Sequence, residues 1–284
     1  MTKIIQRLLI FFIGIPLVVL IVVFLPQNHH LAVNIAVIIF SGLGAVEFAD
    51  ILKRKGLVLP AAEAAILGII SPVAMTVVVS FGLNGQVMSA AFIIGGCWLL
   101  VSRIFAADEK LRDYTIRTAT GFSVMMYPGL FMVWIIRMTL LPRADMVILM
   151  FLLMVFGNDS FAWAAGILFG KGNRGIITAS PNKSIAGFVG GLIAAILAGI
   201  GGALFISGAF VSRSLHPVFA GALLGFVTGA AGSLGDLAES ALKRSSGIKD
   251  SGSIIPGRGG VLDSIDSLAL AAPVFYVAYR ILFG

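Results

Sequence analysis

The sequence predicts an all-α, polytopic integral membrane protein of about nine transmembrane helices with its N-terminus in the cytoplasm. Three observations carry that expectation. The 284 residues are 59% hydrophobic and only 12% charged, whereas soluble domains carry about 25% charge. The apolar residues gather in runs near the roughly 20 residues that a helix needs to cross a bilayer. The bases concentrate in alternate connections between those runs, as the positive-inside rule requires of cytoplasmic loops.

The expected spans are 8–26, 31–49, 57–80, 87–106, 118–141, 146–170, 185–210, 217–242 and 265–283. The first follows Lys3 and Arg7. Its apolar run to Leu25 is long for a cleavable signal, and no small-x-small cleavage site precedes Pro26, so it reads as a retained span. The second is followed by Lys53, Arg54 and Lys55, and the fourth by Arg103, Lys110, Arg112 and Arg117. The sixth and eighth turn polar part-way, at Gly157-Asn158-Asp159 and at Ser233-Leu234-Gly235-Asp236. Lys171, Arg174 and Lys183 follow the sixth; Lys243, Arg244, Lys249 and Arg258 follow the eighth.

Sixteen bases therefore lie on one side, against Arg137, Arg143, Arg213 and Arg280 on the other. That asymmetry places the N-terminus in the cytoplasm and, with nine spans, the C-terminus outside. The excess of 20 Lys+Arg over 13 Asp+Glu then reflects topology; the bilayer, and no nucleic acid, is the expected macroscopic partner. Cys97 is the single cysteine, which excludes an intramolecular disulfide framework and a multi-cysteine metal site. Gly190-Gly191, Gly199, Gly201-Gly202 and the run Gly229-Ala230-Ala231-Gly232 suit close helix packing. The chain reads as one continuous membrane domain, with N-terminal helices over 1–145 and a region over 146–284 that carries the polar chemistry.

The stretch from Ser233 to Asp266 holds nine of the 33 charged residues in 34 positions. Its acids are Asp236, Glu239, Asp250, Asp263 and Asp266. Ions buried in apolar segments cost several kcal/mol, so they mark a functional site by default. With 233–244 as helix and Asp236 at 0°, Ser233, Glu239, Ser240, Lys243 and Arg244 fall between about −60° and about 80°. Leu234, Leu237, Ala238, Ala241 and Leu242 fill the opposite arc. The stripe has an acid end, deeper in the membrane, and a basic end at the cytoplasmic mouth.

Ser245 to Leu262 is rich in glycine and contains Pro256, so it reads as a loop. Asp263 and Asp266 then open the last helix, one turn apart. A loop closing on the eighth helix is expected to bring Asp263 near Asp236. Two carboxylates with neighbouring bases suit a divalent metal and a polyphosphate together. Transfer chemistry on phosphates is largely positioning and charge stabilisation, and no Ser-His-Asp or Cys-His set is evident. A second polar cluster spans Asn158, Asp159 and Ser160, then Ser180-Pro181-Asn182-Lys183-Ser184. The lone acids Glu47 and Glu63 receive no role.

At these residues the chain resembles the phosphatidate cytidylyltransferase (CDP-diacylglycerol synthase) family. That family's C-terminal signature runs S-x-x-K-R-x4-K-D-x-G, then P-G-H-G-G, then D-R-x-D. Here it reads Ser240-Ala-Leu-Lys243-Arg244, Lys249-Asp250-Ser-Gly252, Pro256-Gly257-Arg258-Gly259-Gly260 and Asp263-Ser264-Ile-Asp266. Gly235-Asp236-Leu-Ala-Glu239-Ser240, Asn158-Asp159 and Ser180-Pro181-Asn182-Lys183 resemble its other recurrent segments. The signature covers roughly an eighth of the chain. Three positions depart from it: Arg258 replaces the family's histidine, Ser264 its arginine, and Ala186 the acid of S-P-x-K-T-x-E-G. The guanidinium gained at Arg258 is expected to serve the phosphate region vacated at Ser264.

The resemblance implies a reaction of CTP with phosphatidic acid that gives CDP-diacylglycerol and pyrophosphate at the inner membrane. It implies Mg²⁺ as cofactor, with a second, monovalent cation left open, and suggests a homodimer. Asp236 and Asp263 are expected to be metal ligands, with Glu239, Asp266 and Asp159 as helpers. Lys243, Arg244, Lys249, Lys183 and Arg258 are expected to hold the triphosphate and the lipid phosphate, with Asn158, Ser240 and Asp250 completing the substrate site. A CTP-dependent lipid kinase, an ion-coupled transporter using intramembrane acids and a non-catalytic relative remain alternatives.

Overall fold

A computed structural model describes residues 13–56, 59–105, 111–206, 208–212, 215–255 and 259–284. Lys3, Arg7, Lys110, Arg213 and Arg258 lie outside the described residues. The chain is helical, and among the described residues the only ladder pairing is two isolated antiparallel bridges, Arg174 with Ser184 and Ile255 with Gly259. In chain order the helices are α1 (Ile15–Phe24), α2 (Gln27–Lys53), α3 (Ala61–Phe81), α4 (Gln86–Val101), α5 (Tyr114–Met138), α6 (Ala144–Phe169), α7 (Ile185–Phe205), α8 (Pro217–Ser245) and α9 (Leu262–Phe283).

Seven of these, α2, α3 and α5 to α9, are long and apolar enough to cross a membrane. The segments expected at 8–26 and 87–106 form shorter apolar helices among the described residues, α1 and α4. Large apolar side chains project outward along the helices, among them Phe81, Ile94, Phe205 and Ile281. A water-soluble domain does not carry apolar patches on this scale. The protein is thus an all-helical, multi-pass membrane protein.

The chain divides into two compact units. The first comprises Met1–Arg137 with Ser245–Ile265, and the second Met138–Arg244 with Asp266–Gly284. In the first, α2 and α3 approach closely where Gly68 faces Ala45. The backbone of α5 follows, since a Cβ at Gly129 would lie 2.9 Å from the Gly68 carbonyl oxygen. A π-turn at Met125–Leu130 widens α5 around Pro128. Proline has no N–H for the helical ladder, and Phe131 N–H donates five residues back to the Met126 carbonyl at 3.0 Å.

In the second unit the close contacts are between α6, α7 and α8. A Cβ at Gly190 would lie 2.5 Å from the Ala165 Cβ, and one at Gly187 would lie 2.8 Å from the Ala162 carbonyl oxygen. Gly199, Gly221 and Gly225 bring α7 and α8 together backbone to backbone against Ala195. Small residues at such crossings let helices pack in lipid without a hydrophobic driving force. An aromatic cluster of Phe210, Phe275, Tyr279 and Phe283 packs along α9, and the Tyr279 hydroxyl donates to the Ala209 carbonyl.

Glu63 on α3 is ion-paired with the buried Arg117 on α5. The Glu63 carboxylate also accepts from Trp98 Nε1 at 2.9 Å, and Arg117 donates to Ser102 Oγ at 3.1 Å. Arg117 is thus an internal partner rather than a solvent-facing topological base. Removing one member of such a pair strands the other, whereas replacing both with apolar residues is near neutral. Glu63→Ala is expected to destabilise the protein by about 3–5 kcal/mol, read as thermal unfolding in detergent, while Glu63→Leu with Arg117→Met restores most of the loss.

Candidate active site

The second unit gathers the polar residues of α6, the α6–α7 connection and α8. α8 runs unbroken through Ser245, so the arc expected from its spacing is real. Its apolar side turns outward, with Leu234 exposed, and Glu239 on the other side is fully buried. Glu239 is ion-paired with Lys243 one turn later. Arg244, past the same turn, is exposed.

Lys183 reaches this helix from a tight turn. Its N–H donates to the Ser180 carbonyl at 3.1 Å, while the Pro181 carbonyl accepts from Gly175 N–H at 3.0 Å. Ser184 then N-caps α7, its hydroxyl accepting from Gly187 N–H at 3.1 Å. So fixed, Lys183 places Nζ 2.5 Å from Asp236 Oδ2 and 5.7 Å from the Phe188 ring centroid. The other Asp236 oxygen accepts from Ser240 Oγ at 3.4 Å. Asp236 and Lys183 are both partly exposed, so the pair is open to a ligand.

Asn158 is buried to 1% exposure. Its Nδ2 donates to Ser233 Oγ at 3.0 Å and lies 3.4 Å from Asp159 Oδ1. Two glycines make room for it: a Cβ at Gly191 would lie 2.8 Å from Asn158 Oδ1, and one at Gly229 would lie 3.2 Å from it. On α9, Asp266 is buried, accepts from Ser267 N–H at 2.6 Å, and feels the charges of Asp236, Asp159 and Lys243. Asn158, Asp159, Lys183, Asp236, Ser240, Glu239, Lys243 and Asp266 therefore belong to one polar interior within this unit.

Asp263 and the signature loop belong to the first unit. The loop holds Asp263 by three hydrogen bonds to Oδ2: from Ser251 N–H at 2.9 Å, Ser251 Oγ at 2.9 Å and Gly260 N–H at 2.7 Å. Gly259 has φ +113°, and a Cβ there would lie 2.5 Å from Asp263 Oδ2, so both its backbone and its missing side chain suit this turn. Lys249 and Asp250 are exposed on the same loop. Arg258 lies outside the described residues.

Sequence reasoning gave no role to Glu47, which proves to be the loop's second carboxylate partner. Its Oε1 accepts from Val261 N–H at 3.0 Å, and its Oε2 from Leu262 N–H at 2.7 Å and Ser251 Oγ at 3.1 Å. The available signal was an acid inside an apolar segment. Its partners, mostly backbone amides more than 200 residues away, leave no trace in residue type.

Among the described residues no group of three or more His, Cys, Asp or Glu is disposed to hold a metal ion. The donor chemistry nevertheless suits a hard cation. Asp236, Asp159 and Asp266 offer only carboxylate oxygen, their like charges act on one another, and Asp236 is accessible. Mg²⁺ characteristically takes one or two carboxylates, water and substrate phosphate rather than an all-protein cage.

Fold and site together define a helical membrane protein whose polar groups form acid–base pairs set among spanning helices. The model of the cytidylyltransferase family matches residues 5–282, and the chain belongs to that family. It is 32% identical over 203 residues to the phosphatidate cytidylyltransferase of Thermotoga maritima, covering 70% of this chain and 71% of that protein. It is 42% identical over 130 residues to the protein of the same name from Haemophilus influenzae, 45% of this chain and 43% of that one. The match to the phosphatidate cytidylyltransferase of Synechocystis is 40% identical over 119 residues, 40% of this chain and 39% of that one. The chain thus spans about two fifths of the length of the last two relatives.

Ser184 ties the turn bearing Lys183 to α7. Ser184→Ala is expected to cost about 1 kcal/mol of stability, measured by thermal unfolding in detergent, and Ser184→Thr to recover most of it.

Proposed function

We propose that this protein is a phosphatidate cytidylyltransferase: it joins CTP and phosphatidic acid into CDP-diacylglycerol with release of pyrophosphate. The observation that carries the reading is the Lys183–Asp236 pair. It unites the Ser-Pro-x-Lys segment with the Gly-Asp-x-x-Glu-Ser segment, 53 residues apart in the chain, at the polar interior of a membrane unit. Likeness to phosphatidate cytidylyltransferases of three bacteria supports the same conclusion.

In this reaction an oxygen of the lipid phosphate forms a bond to the α-phosphorus of CTP. The bond from that phosphorus to the bridging oxygen breaks, and pyrophosphate leaves with the electron pair. Lys183 and Lys243 would offer ammonium groups to the phosphates, each already fixed by a carboxylate and thus spared much ordering on binding. Arg244 and Lys249, both exposed, would draw CTP inward. Asn158, Asp159, Ser240 and Asp250 would orient the substrates. Arg258 takes its phosphate-binding role from the motif alone.

The motif assigns Mg²⁺ to Asp236 and Asp263, with Glu239 and Asp266 as supporting acids and a second, monovalent cation left open. When bound, the metal supplies neutralising charge on the triphosphate. The positive-inside asymmetry supports an inner-membrane location with the charged mouth facing the cytoplasm, where CTP arrives, while phosphatidic acid enters from the bilayer. The family resemblance also implies a homodimer.

Purified protein given CTP, phosphatidic acid and Mg²⁺ is expected to form CDP-diacylglycerol and pyrophosphate in equal amounts. Asp236→Ala is expected to lower turnover by at least about a hundredfold while the protein stays folded in detergent. Lipid phosphate with CDP as products would assign a kinase, ion flux in liposomes without turnover would assign a transporter, and no CTP turnover would mark a non-catalytic relative.

A further inference from the structure

Glu47 lies on α2 with 5% exposure, in a span otherwise rich in aliphatic residues. Its charge meets two consecutive backbone amides, Val261 and Leu262, and the Ser251 hydroxyl. α9 begins at Leu262. The first amides of a helix lack intrahelical acceptors, and here a carboxylate from another helix supplies one for the opening of α9.

The same hydroxyl links Glu47 to Asp263. Ser251 Oγ lies 3.1 Å from Glu47 Oε2 and 2.9 Å from Asp263 Oδ2, and its single proton serves one of them at a time. Space for Glu47 comes from the signature itself. A Cβ at Gly252 would lie 2.5 Å from Glu47 Oε1, and one at Gly260 would strike Oε2. Two glycines that read in sequence as loop punctuation are therefore shaped around a carboxylate of α2.

We infer that Glu47 is a positioning residue: it clamps Ser251, Val261 and the start of α9, and through Ser251 sets the orientation of Asp263. The inference rests on the proposed function, which gives Asp263 its part in the reaction. Glu47 touches neither substrate nor metal in this scheme. Only a carboxylate presents two acceptor oxygens to the fork of amides; in Glu47→Gln one of them becomes an NH₂ group facing an N–H.

The test compares wild-type protein with Glu47→Gln and Ser251→Ala in detergent, without ligands and then in turnover. In Glu47→Gln, amide hydrogen exchange at Ser251, Val261 and Leu262 is expected to quicken at least about tenfold, with the other helices unchanged. kcat falls at least about tenfold, the KM for CTP stays within about a factor of three, and half-maximal activation needs about tenfold more Mg²⁺. A merely loosened fold would lower kcat and leave the Mg²⁺ requirement where it was. Ser251→Ala keeps the Glu47–amide fork, removes only the bridge and gives smaller changes in the same direction, so it decides the matter if Glu47→Gln fails to fold. Wild-type exchange protection in the variants, or quickened exchange with unaltered kcat and Mg²⁺ requirement, overturns the inference. A wild-type protein without cytidylyl transfer overturns the proposed function instead, and exchange in the variants still tests the clamp by itself.

Discussion

Every ionised group set among these helices must be neutralised locally, because lipid offers neither water nor counterions, and the architecture follows from the ways this is done. An unpaired charge at the centre of a span costs at least about 2.5–3.5 kcal/mol by insertion scales. The protein meets that cost with ion pairs in Glu63–Arg117, Lys183–Asp236 and Glu239–Lys243. Glu47 and Asp263 also accept from backbone amides and the Ser251 hydroxyl. The two solutions have different consequences. A lysine can be drawn toward a phosphate, whereas an amide fork is rigid and fixes the chain that bears it.

Such pairs form only if backbones come close, and small residues set that distance. Between α6, α7 and α8 the contacts at Gly187, Gly190, Gly199 and Gly225 are with backbone atoms or alanine Cβ atoms. That approach leaves Asn158 between Gly191 and Gly229 and delivers the start of α7, with Lys183 just before it, to α8. The glycines at these crossings are thus packing devices, whereas Gly201 faces open space, and they also give the polar interior its dimensions. A Cβ at Gly235 would lie 2.5 Å from the Asp266 carbonyl oxygen, so the same device brings the opening of α9 against the acid end of α8.

Local features were legible in the sequence and tertiary pairings were not. The stripe on α8 and the loop after it were readable because each is set by spacing and glycine content over a dozen or so residues. The acids Asp263 and Asp266 do open the last helix. Lys183 read as a cytoplasmic base and, by resemblance, a phosphate ligand, but nothing in residue type says that it will meet an aspartate 53 positions away. Arg117 entered the side count in the same way, although it is buried against Glu63. Glu47 was the least legible, because backbone N–H groups are common to every residue. The spans at 8–26 and 87–106 were drawn from hydropathy alone, and α4 stops earlier, where the chain turns after Val101.

The departures from the family pattern acquire physical content at two of their three positions. An acid at residue 186 would sit in the first turn of α7, where a negative charge contributes about 0.3–1 kcal/mol through the helix dipole. Ala186 forgoes this, but the orphan amides of that turn are served by neutral acceptors. Ser184 Oγ takes the Gly187 N–H at 3.1 Å, and Asn173 Oδ1 lies 3.5 Å from the Ala186 N–H. The helix start, and with it the turn bearing Lys183, is therefore retained without the acid. Ser264 behaves in a comparable way. Its hydroxyl lies 3.4 Å from the Gly260 carbonyl, tying the first turn of α9 to the loop beside Asp263. Ser264 exchanges a charge for a polar contact with the backbone, whereas at Ala186 the neighbouring Ser184 and Asn173 supply the acceptors. Both positions therefore carry less charge than the family pattern, while the backbone around them keeps its polar partners.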